Sequence, residues 1–389
     1  MSLKTERQLI RAKKLVKKGK FDKAKEIYTS ILKISPNNQI AKNEFFALEQ
    51  IQVKNPAKAQ LDNIMDLYSS GHIMESLSAV NLMIQDHPNE PILFNISGAC
   101  FSSIGPIDSA IQAFKKAISL KPEYSEAHYN LGVVFQKNSQ NDDAYNCYEK
   151  AIKINHAYPQ AHNNLGMIDL KGRKLDAAVK CFEWAIAYSP NYVEAHNNLG
   201  AAFQELMLFE KAKEQYEKAL LINPKFAPAL NNLGAACEIF GLTEQAFNNY
   251  TNAINEDPNY SEAHRNLSVI KKYKKNDTQI NQMESLYKKT HLTITDRRNL
   301  CFALAKVYDD LGENDQFFKF LNEGNDLRKQ ELNYKFSSSQ KTHDGLLKAF
   351  KKTPNILYES VQKKSNIRPI FILGMPRSGT TLVEQIIAS

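Results

Sequence analysis

Several kinds of segment are scarce or absent in this chain of 389 residues. No run of 18 uninterrupted apolar residues occurs, so we expect no membrane-spanning helix. The first residues turn basic without the apolar stretch and small-residue cleavage site of a secretory signal, which makes secretion unexpected. Glycine (15) and proline (14) are few, and this argues against a turn-rich all-β chain and for a mostly helical one.

Cysteine is also sparse, with five widely spaced residues and no Cys-x-x-Cys pair. An odd number without pairing motifs predicts neither a disulfide framework nor a thiolate metal site. A reducing, cytoplasmic location is therefore expected. The single tryptophan, Trp184, is predicted to pack at an interface between helices.

Positive charge is concentrated near the two ends of the chain. Residues 1–35 contain 11 lysines and arginines against three acidic residues, and residues 327–368 contain ten against three. Sequence-independent nucleic-acid binding also needs interleaved stacking aromatics or a recognisable reader module, and neither is present. We interpret both stretches as solvated surface and expect no nucleic-acid partner.

A repeat of 34 residues organises most of the sequence. Asn-Leu-Gly begins at positions 130, 164, 198 and 232, and Asn-Leu-Ser follows at 266. In the same frame an alanine, an aromatic four positions later and an alanine three positions after that recur, as in Ala110, Phe114 and Ala117. This i, i+4, i+7 spacing predicts the buried face of a helix. Prolines such as Pro122 end the predicted second helix of each unit.

This pattern resembles the tetratricopeptide repeat, which stacks pairs of antiparallel helices into an α-solenoid. The resemblance implies repeats across residues 5–275, with an unpaired half-repeat helix at 39–54. A connecting helix and loop are expected at 276–297, a degenerate repeat at 298–331 and a basic helical linker at 332–366. The leucine-glycine pair and the small residues let the two helices of a unit approach closely.

One asparagine recurs at the sixth position of five successive first helices, and the resemblance places this position on the concave side of the solenoid. Their side-chain amides both donate and accept hydrogen bonds, so they can hold the backbone of an extended peptide whatever its sequence. The repeats of the glycosyltransferases that attach N-acetylglucosamine to proteins are similar here and hold protein substrates. The alternative is that the amides only support local packing. These candidate peptide-binding residues are Asn130, Asn164, Asn198, Asn232 and Asn266.

A histidine recurs at the fourth position of most first helices, and such a row is a candidate metal site. Residues 34 positions apart lie about one helix-pair distance from each other, on the order of 10 Å. Zinc ligands must lie within about 2.1 Å of the metal. We therefore predict packing and no metal for His128, His162, His196 and His264.

The chemistry is concentrated in residues 367–389. An apolar run at 370–373 predicts a buried parallel strand, Gly374 to Gly379 form a loop, and a helix begins at Thr380 or Thr381. Strand, glycine-bounded loop and helix start together make a P-loop-like cradle for an oxyanion. The nucleotide triphosphate version carries lysine where Thr380 stands, and this departure disfavours ATP or GTP hydrolysis.

The loop sequence Pro-Arg-Ser-Gly-Thr-Thr resembles the 5′-phosphosulfate loop of sulfotransferases, which use 3′-phosphoadenylyl sulfate (PAPS) and no metal. Within that class it is similar to bacterial sulfotransferases with N-terminal tetratricopeptide repeats and to protein-tyrosine sulfotransferases. The resemblance implies a mostly α chain whose solenoid leads into the first β-loop-α unit of an α/β sulfotransferase domain. It also assigns cofactor binding to Arg377, Ser378, Gly379, Thr380 and Thr381.

One strand and one helix cannot form a sheet or bury their apolar faces. We therefore expect this chain to be a C-terminally truncated part of a sulfotransferase, binding the cofactor weakly and turning nothing over. Its catalytic residues, including the base, are expected beyond residue 389. Its repeats are expected to recruit a protein or peptide, and the resemblance to protein-tyrosine sulfotransferases makes a protein tyrosine hydroxyl one candidate acceptor of the sulfuryl group. The alternatives are a non-catalytic protein-interaction scaffold and, more remotely, a nucleotide-dependent kinase.

Overall fold

A computed structural model describes residues 3–17, 21–35, 38–54 and 58–333, with a few further positions between 337 and 348. The chain divides into two compact units, Met1–Gly324 and Asn325–Ser389. Within the described residues every regular element is an α-helix and no strand occurs. None of these helices combines the length and apolar character needed to cross a bilayer.

The first helices of the chain are those before the regular repeats. They are α1 (Leu3–Lys17), α2 (Phe21–Ile34), α3 (Gln39–Lys54), α4 (Lys58–Ser69) and α5 (Ile73–Asp86).

Five regular hairpins follow, each with a first and a second helix. They are α6 (Pro91–Ile104) with α7 (Ile107–Leu120), α8 (Ser125–Lys137) with α9 (Asn141–Ile154), α10 (Pro159–Lys171) with α11 (Leu175–Tyr188), α12 (Val193–Glu205) with α13 (Phe209–Ile222), and α14 (Ala227–Ile239) with α15 (Thr243–Glu256). Each second helix also packs against the first helix of the next hairpin. The predicted solenoid of helix pairs is confirmed over these repeats.

The predicted buried stripe holds the second helix of each hairpin against the first. In α13, for example, Ala212, Tyr216 and Ala219 are almost fully buried. A Cβ placed at Gly200 on α12 would lie 2.5 Å from the ring of Tyr216, which is closer than carbon atoms can approach. Burying such a ring stabilises the fold by roughly 1.5–3 kcal/mol. The same glycine-to-ring contact occurs at Gly98, Gly132, Gly166 and Gly234.

The turn between α4 and α5 and the turns inside the five regular hairpins each place one residue in the left-handed region of backbone space. Its position recurs every 34 residues, and the residue is glycine in three turns and a residue with a side chain in the other three. These turn residues are Gly71 (φ 84°), Gly105 (φ 110°), Ser139 (φ 61°), Arg173 (φ 59°), Met207 (φ 61°) and Gly241 (φ 72°).

The remaining helices depart from the regular pattern. They are α16 (Ser261–Ile270), α17 (Thr278–Tyr287), α18 (Ile294–Leu311) and α19 (Asn314–Glu331). Helix α18 begins four residues before the predicted degenerate repeat, because Thr293 caps it by accepting a hydrogen bond from the backbone N–H of Asp296. Helix α16 packs mainly against α18.

The predicted strand at 370–373, the anion-binding loop and most of the predicted linker lie outside the described residues. This applies to all five candidate cofactor-binding residues. They are Arg377, Ser378, Gly379, Thr380 and Thr381.

Candidate functional site

The asparagines of the predicted ladder lie on the first helices α8, α10, α12, α14 and α16, one on each. All five side chains are partly exposed. We call them the amide ladder. Its members are Asn130, Asn164, Asn198, Asn232 and Asn266.

Each member of the amide ladder donates a hydrogen bond to the preceding repeat. Nδ2 of Asn130 donates to Oδ1 of Asn95, 35 residues earlier, at 3.1 Å. The other four asparagines also donate to a residue 35 positions earlier, which directly precedes the ladder asparagine of the preceding repeat. These bonds run from Asn164 to the hydroxyls of Tyr129 and Tyr148 (both 3.3 Å), from Asn198 to Asn163 (2.9 Å), from Asn232 to Asn197 (3.0 Å) and from Asn266 to Asn231 (2.9 Å).

The ladder therefore joins successive first helices across every junction from α6 to α16. An asparagine amide has two N–H groups and a carbonyl oxygen with two lone pairs. The junction uses an N–H group of each amide, and Oδ1 of Asn164 and of Asn232 also accepts from the preceding asparagine, while all five residues stay partly exposed. The two interpretations of the ladder, packing and peptide binding, are compatible with one geometry.

Tyrosine hydroxyls from the second helices form a second polar row beside the ladder. The hydroxyl of Tyr148 donates to Oε1 of Gln136 at 2.8 Å, and that of Tyr216 donates to Gln204 at 3.2 Å. The hydroxyl of Tyr250 donates to the Glu238 carboxylate in the same way. Sequence reasoning missed this row. The available signal was that tyrosine replaces phenylalanine where the residue 12 positions earlier carries an amide or carboxylate.

A third row consists of aromatic residues that directly precede the first helices. All are partly buried, and the ring centroid of Tyr158 lies 5.0 Å from that of Tyr129. Burial raises the pKa of Tyr192 to about 12, with smaller contributions from Tyr129 and Glu194. The phenols are therefore neutral near pH 7 and can donate hydrogen bonds. This row, which the 34-residue period could have revealed, is Tyr124, Tyr158, Tyr192, Phe226 and Tyr260.

Each histidine of the row makes the same local contact. Nε2 of His128 lies 3.0 Å from the carbonyl oxygen of Pro122. Because a carbonyl oxygen only accepts, Nε2 carries the proton. The same contact recurs at 3.0 Å for His162, His196 and His264. Among the described residues no group of histidine, cysteine and acidic side chains is arranged to hold a metal ion.

Comparison with protein families finds the same repeats. Models of the tetratricopeptide repeat match residues 101–139 and 168–206, residues 125–158 and 193–226, and residues 11–38. A model of the sulfotransferase family matches residues 369–389.

Among curated proteins, an uncharacterized protein of Aquifex aeolicus is 36% identical over 119 residues, which is 30% of this chain and 15% of that protein. The peroxisomal targeting signal receptor of Kluyveromyces lactis is 29% identical over 66 residues, 17% of this chain and 12% of the receptor. The matched segments thus span less than a sixth of either relative.

Solved structures with similar helix pairs include MamA, at 27% identity and a TM-score of 0.38, covering 41% of this chain and 94% of that one. YrrB, described as a TPR protein with an unusual peptide-binding site, is 21% identical with a TM-score of 0.40, covering 48% and 95%. The Cut9–Hcn1 hetero-tetramer of APC/C is 18% identical with a TM-score of 0.49, covering 81% and 55%. Repeat period, glycine-to-ring packing and family matches together establish that the chain carries a solenoid of tetratricopeptide repeats.

Proposed function

We propose that the chain is a protein-binding scaffold that holds an extended polypeptide along the first helices of its repeats. The observation that carries this proposal is the amide ladder, in which each asparagine is fixed by a bond to the preceding repeat while staying partly exposed. A fixed amide loses little conformational freedom when a ligand arrives, so its hydrogen bonds to a peptide backbone are formed at low entropic cost. The neighbouring neutral phenols add donors and flat apolar surface.

The experiment uses peptides long enough to contact several repeats. An extended peptide of about 12 residues covers roughly 40 Å, or about four helix-pair spacings. Random peptides of this length, displayed on phage, are selected against the full chain and then measured by fluorescence anisotropy. We expect Asn198→Ala to weaken binding about tenfold, the loss of one to two hydrogen bonds.

The matched control is Asn252→Ala, which removes an exposed asparagine from the second helix α15. It should leave the affinity unchanged. Methylation of the peptide backbone nitrogens should abolish binding if the amides read the backbone. Tight binding that is insensitive to Asn198→Ala, Asn232→Ala and backbone methylation would contradict the proposal.

We further propose that residues 367–389 contain the phosphosulfate-binding loop of a PAPS-dependent sulfotransferase. The support is the sulfotransferase family match at residues 369–389 and the loop sequence itself. Arg377 would contact the phosphosulfate, while backbone N–H groups at Ser378 and Gly379 and the hydroxyls of Thr380 and Thr381 would hold the 5′-phosphate. An acceptor hydroxyl would take up the sulfuryl group of PAPS, with release of adenosine 3′,5′-bisphosphate and of the hydroxyl proton.

Calorimetric titration of the full chain tests this assignment. Adenosine 3′,5′-bisphosphate should bind without magnesium, and Arg377→Ala should weaken that binding by roughly tenfold or more, since a charge-assisted bond to phosphate is lost. Magnesium-ATP should not compete. Binding of magnesium-ATP together with no response to the bisphosphate would instead favour a nucleotide-dependent kinase, and no response to either would leave the scaffold alone.

A further inference from the structure

A cleft of about 690 Å³ lies on the side of the second helices, between α9 and α11. This volume is within the range of small-molecule sites. Its apolar lining includes Ile152, Leu165, Cys181 and Trp184, and its one acidic residue from a first helix is Asp169. We call it the Asp169 cleft.

At the cleft one repeat has an aspartate where three others have an aromatic side chain. The residues 34 positions apart in this frame are Phe101, Phe135, Asp169, Phe203 and Cys237. Phe135 is buried in the core of its hairpin, packed with residues that include Tyr148. Aspartate is much smaller than phenylalanine, and its carboxylate is one of the groups that line the cleft.

Asp169 is buried without a full set of partners. Its side chain is only 2% exposed, and Oδ1 has no hydrogen-bond partner. The nearest cation, Nζ of Lys174, is 3.8 Å from Oδ1, and Lys174 also lies over the ring of Tyr145. Burial raises the pKa of the Asp169 carboxyl and Lys174 opposes that rise. An unsatisfied buried acceptor costs about 1–3 kcal/mol or more. A feature that reduces stability in this way fits a site that a ligand completes.

An exposed aromatic wall stands beside this carboxylate. Trp184 is 53% exposed, although its sequence predicted packing at an interface. Its ring stacks on Tyr188 at a centroid distance of 5.8 Å and lies 6.4 Å from His162. Of these three rings, His162 and Trp184 line the cleft.

We propose that the Asp169 cleft binds an organic monocation, a primary ammonium or guanidinium group carried on an apolar body. The cation pairs with the Asp169 carboxylate once the exposed Lys174 side chain moves aside, and the apolar body packs on Trp184 and the aliphatic lining. Charge-assisted bonds and aromatic surfaces are the usual means of recognising such groups.

The rim of the cleft sets a further limit on the ligand. Three exposed lysines line it, Lys150, Lys153 and Lys180, against one exposed acidic residue, Glu149. They repel any second positive charge that stays near the mouth. A monocation meets this repulsion only while it passes the mouth, whereas a polyamine keeps a second charge there and should bind more weakly.

The test uses intrinsic fluorescence, because Trp184 is the single tryptophan of the sequence and reports on the cleft directly. The full chain is titrated with 2-phenylethylamine, with the neutral 2-phenylethanol, with the anion 3-phenylpropionate and with spermidine. We expect saturable change of the tryptophan emission with the amine, and affinity at least tenfold weaker for the other three, as the loss of the charge-assisted bond implies.

Three variants complete the design. Asp169→Asn should weaken amine binding about tenfold or more, while the control Asp176→Asn, an exposed acid in the first turn of α11, should not. Asp169→Phe should restore the ordinary ring, raise the melting temperature and abolish binding, with helicity checked by circular dichroism. The proposal is overturned if the amine produces no saturable change up to millimolar concentration, if the alcohol binds equally well, or if Asp169→Asn keeps full affinity.

Discussion

The five regular hairpins and the end of the first unit, residues 261–324, are held together in different ways. In the regular hairpins a glycine on the first helix lets an aromatic ring of the second helix lie against its backbone. At the end of the unit the roles are exchanged, since a Cβ at Gly324 on α19 would lie 3.0 Å from the ring of Phe302 on α18. The glycine and the ring belong to the same hairpin, so this contact does not depend on the sequence of the neighbouring repeat and can recur in every unit.

Beyond the regular repeats and their amide ladder, a different set of side-chain hydrogen bonds links the helices. Lys271 pairs with Asp277 at 2.8 Å, and the hydroxyl of Tyr273 donates to Gln279 at 3.0 Å. Gln279 in turn donates to Nδ1 of His264 at 3.4 Å. These contacts link the end of α16 to the start of α17, and they do not follow the 34-residue repeat. Such a network fixes one partner and gives the stack a defined end.

A second network joins α17, α18 and α19. Arg297 donates to Glu323 at 2.6 Å and to the hydroxyl of Tyr287 at 2.9 Å, and its guanidinium lies 4.4 Å from the centre of the Tyr287 ring. Burial acts to raise the pKa of Glu323, but the hydrogen bonds from Tyr287 and Arg297 outweigh it and lower that pKa. We call the regular hairpins, each closed by glycine-to-ring packing, the steric region, and helices α17 to α19, joined by this charged network, the electrostatic region.

The strongest test of the steric region is Gly200→Ala. Replacing a helical glycine by alanine ordinarily stabilises by about 0.5–1 kcal/mol. Here the new Cβ meets the Tyr216 ring, so we expect destabilisation of about 2–3 kcal/mol, seen as a lower urea midpoint. Gly172→Ala is the control, because its Cβ would make only ordinary contacts. Equal midpoints for the two variants would show that the ring adjusts freely and that sterics do not close the hairpin.

In the electrostatic region the corresponding change is Glu323→Ala. Both members of the Arg297–Glu323 pair are partly exposed, which reduces the value of the pair. We expect the free energy of unfolding to fall by about 1–2 kcal/mol. The fall should be smaller in 1 M salt than at low salt, because salt already screens the ion pair in the unsubstituted chain. Urea melts at the two salt concentrations measure this difference. Gly200→Ala should lose the same free energy in both, and a salt-dependent loss there would break the distinction between the regions.

A smaller change of opposite sign is expected at the turns of the regular hairpins. Met207 is exposed and has a left-handed backbone with φ of 61°. Since this conformation costs a residue with a side chain about 1–2 kcal/mol, Met207→Gly should stabilise the chain by up to about 1 kcal/mol, less the entropy that glycine adds to the unfolded state. Gly241→Ala, at the equivalent turn, should destabilise by a similar amount. Thermal melts of both variants measure the effect, which should be absent if the turns rearrange.

The smallest expected effect concerns pH. Burial lowers the pKa of His264, opposed by its hydrogen bond to Pro258 and by Asp257. The unfolded chain therefore binds more protons below about pH 6.5, and the contribution of His264 to stability is lost as pH falls from there toward its lower folded pKa. Leucine stands in the equivalent position at Leu230. His264→Leu should reduce the difference between urea midpoints measured at about pH 7.5 and about pH 5.5. An unchanged difference would mean that His264 is protonated alike in both states.

The regular hairpins were predictable because their packing depends on residue size and spacing. Period, glycine and ring positions are visible in the sequence, and the structure adds only the contact distance at Gly200. The hydrogen bonds of the amide ladder were not predictable in the same way. Their acceptors include asparagine in four junctions and tyrosine in the other, so no single motif marks them. Asp169 was visible in the sequence as a departure from the repeat, but only the packing around it shows that its carboxylate is buried without a hydrogen-bond partner at Oδ1.

The repeat at residues 159–192 combines two departures that were described separately. Its ladder residue Asn164 donates to phenols at 3.3 Å where its neighbours pair with asparagine at about 3 Å, and its first helix carries Asp169 in place of a ring. In a linear array each repeat is stabilised only by itself and its two neighbours. Cooperativity should therefore break here first, so that the hairpins before and after it exchange their amide hydrogens as two separate blocks. A single substitution, Asp169→Phe, would then fuse the blocks into one.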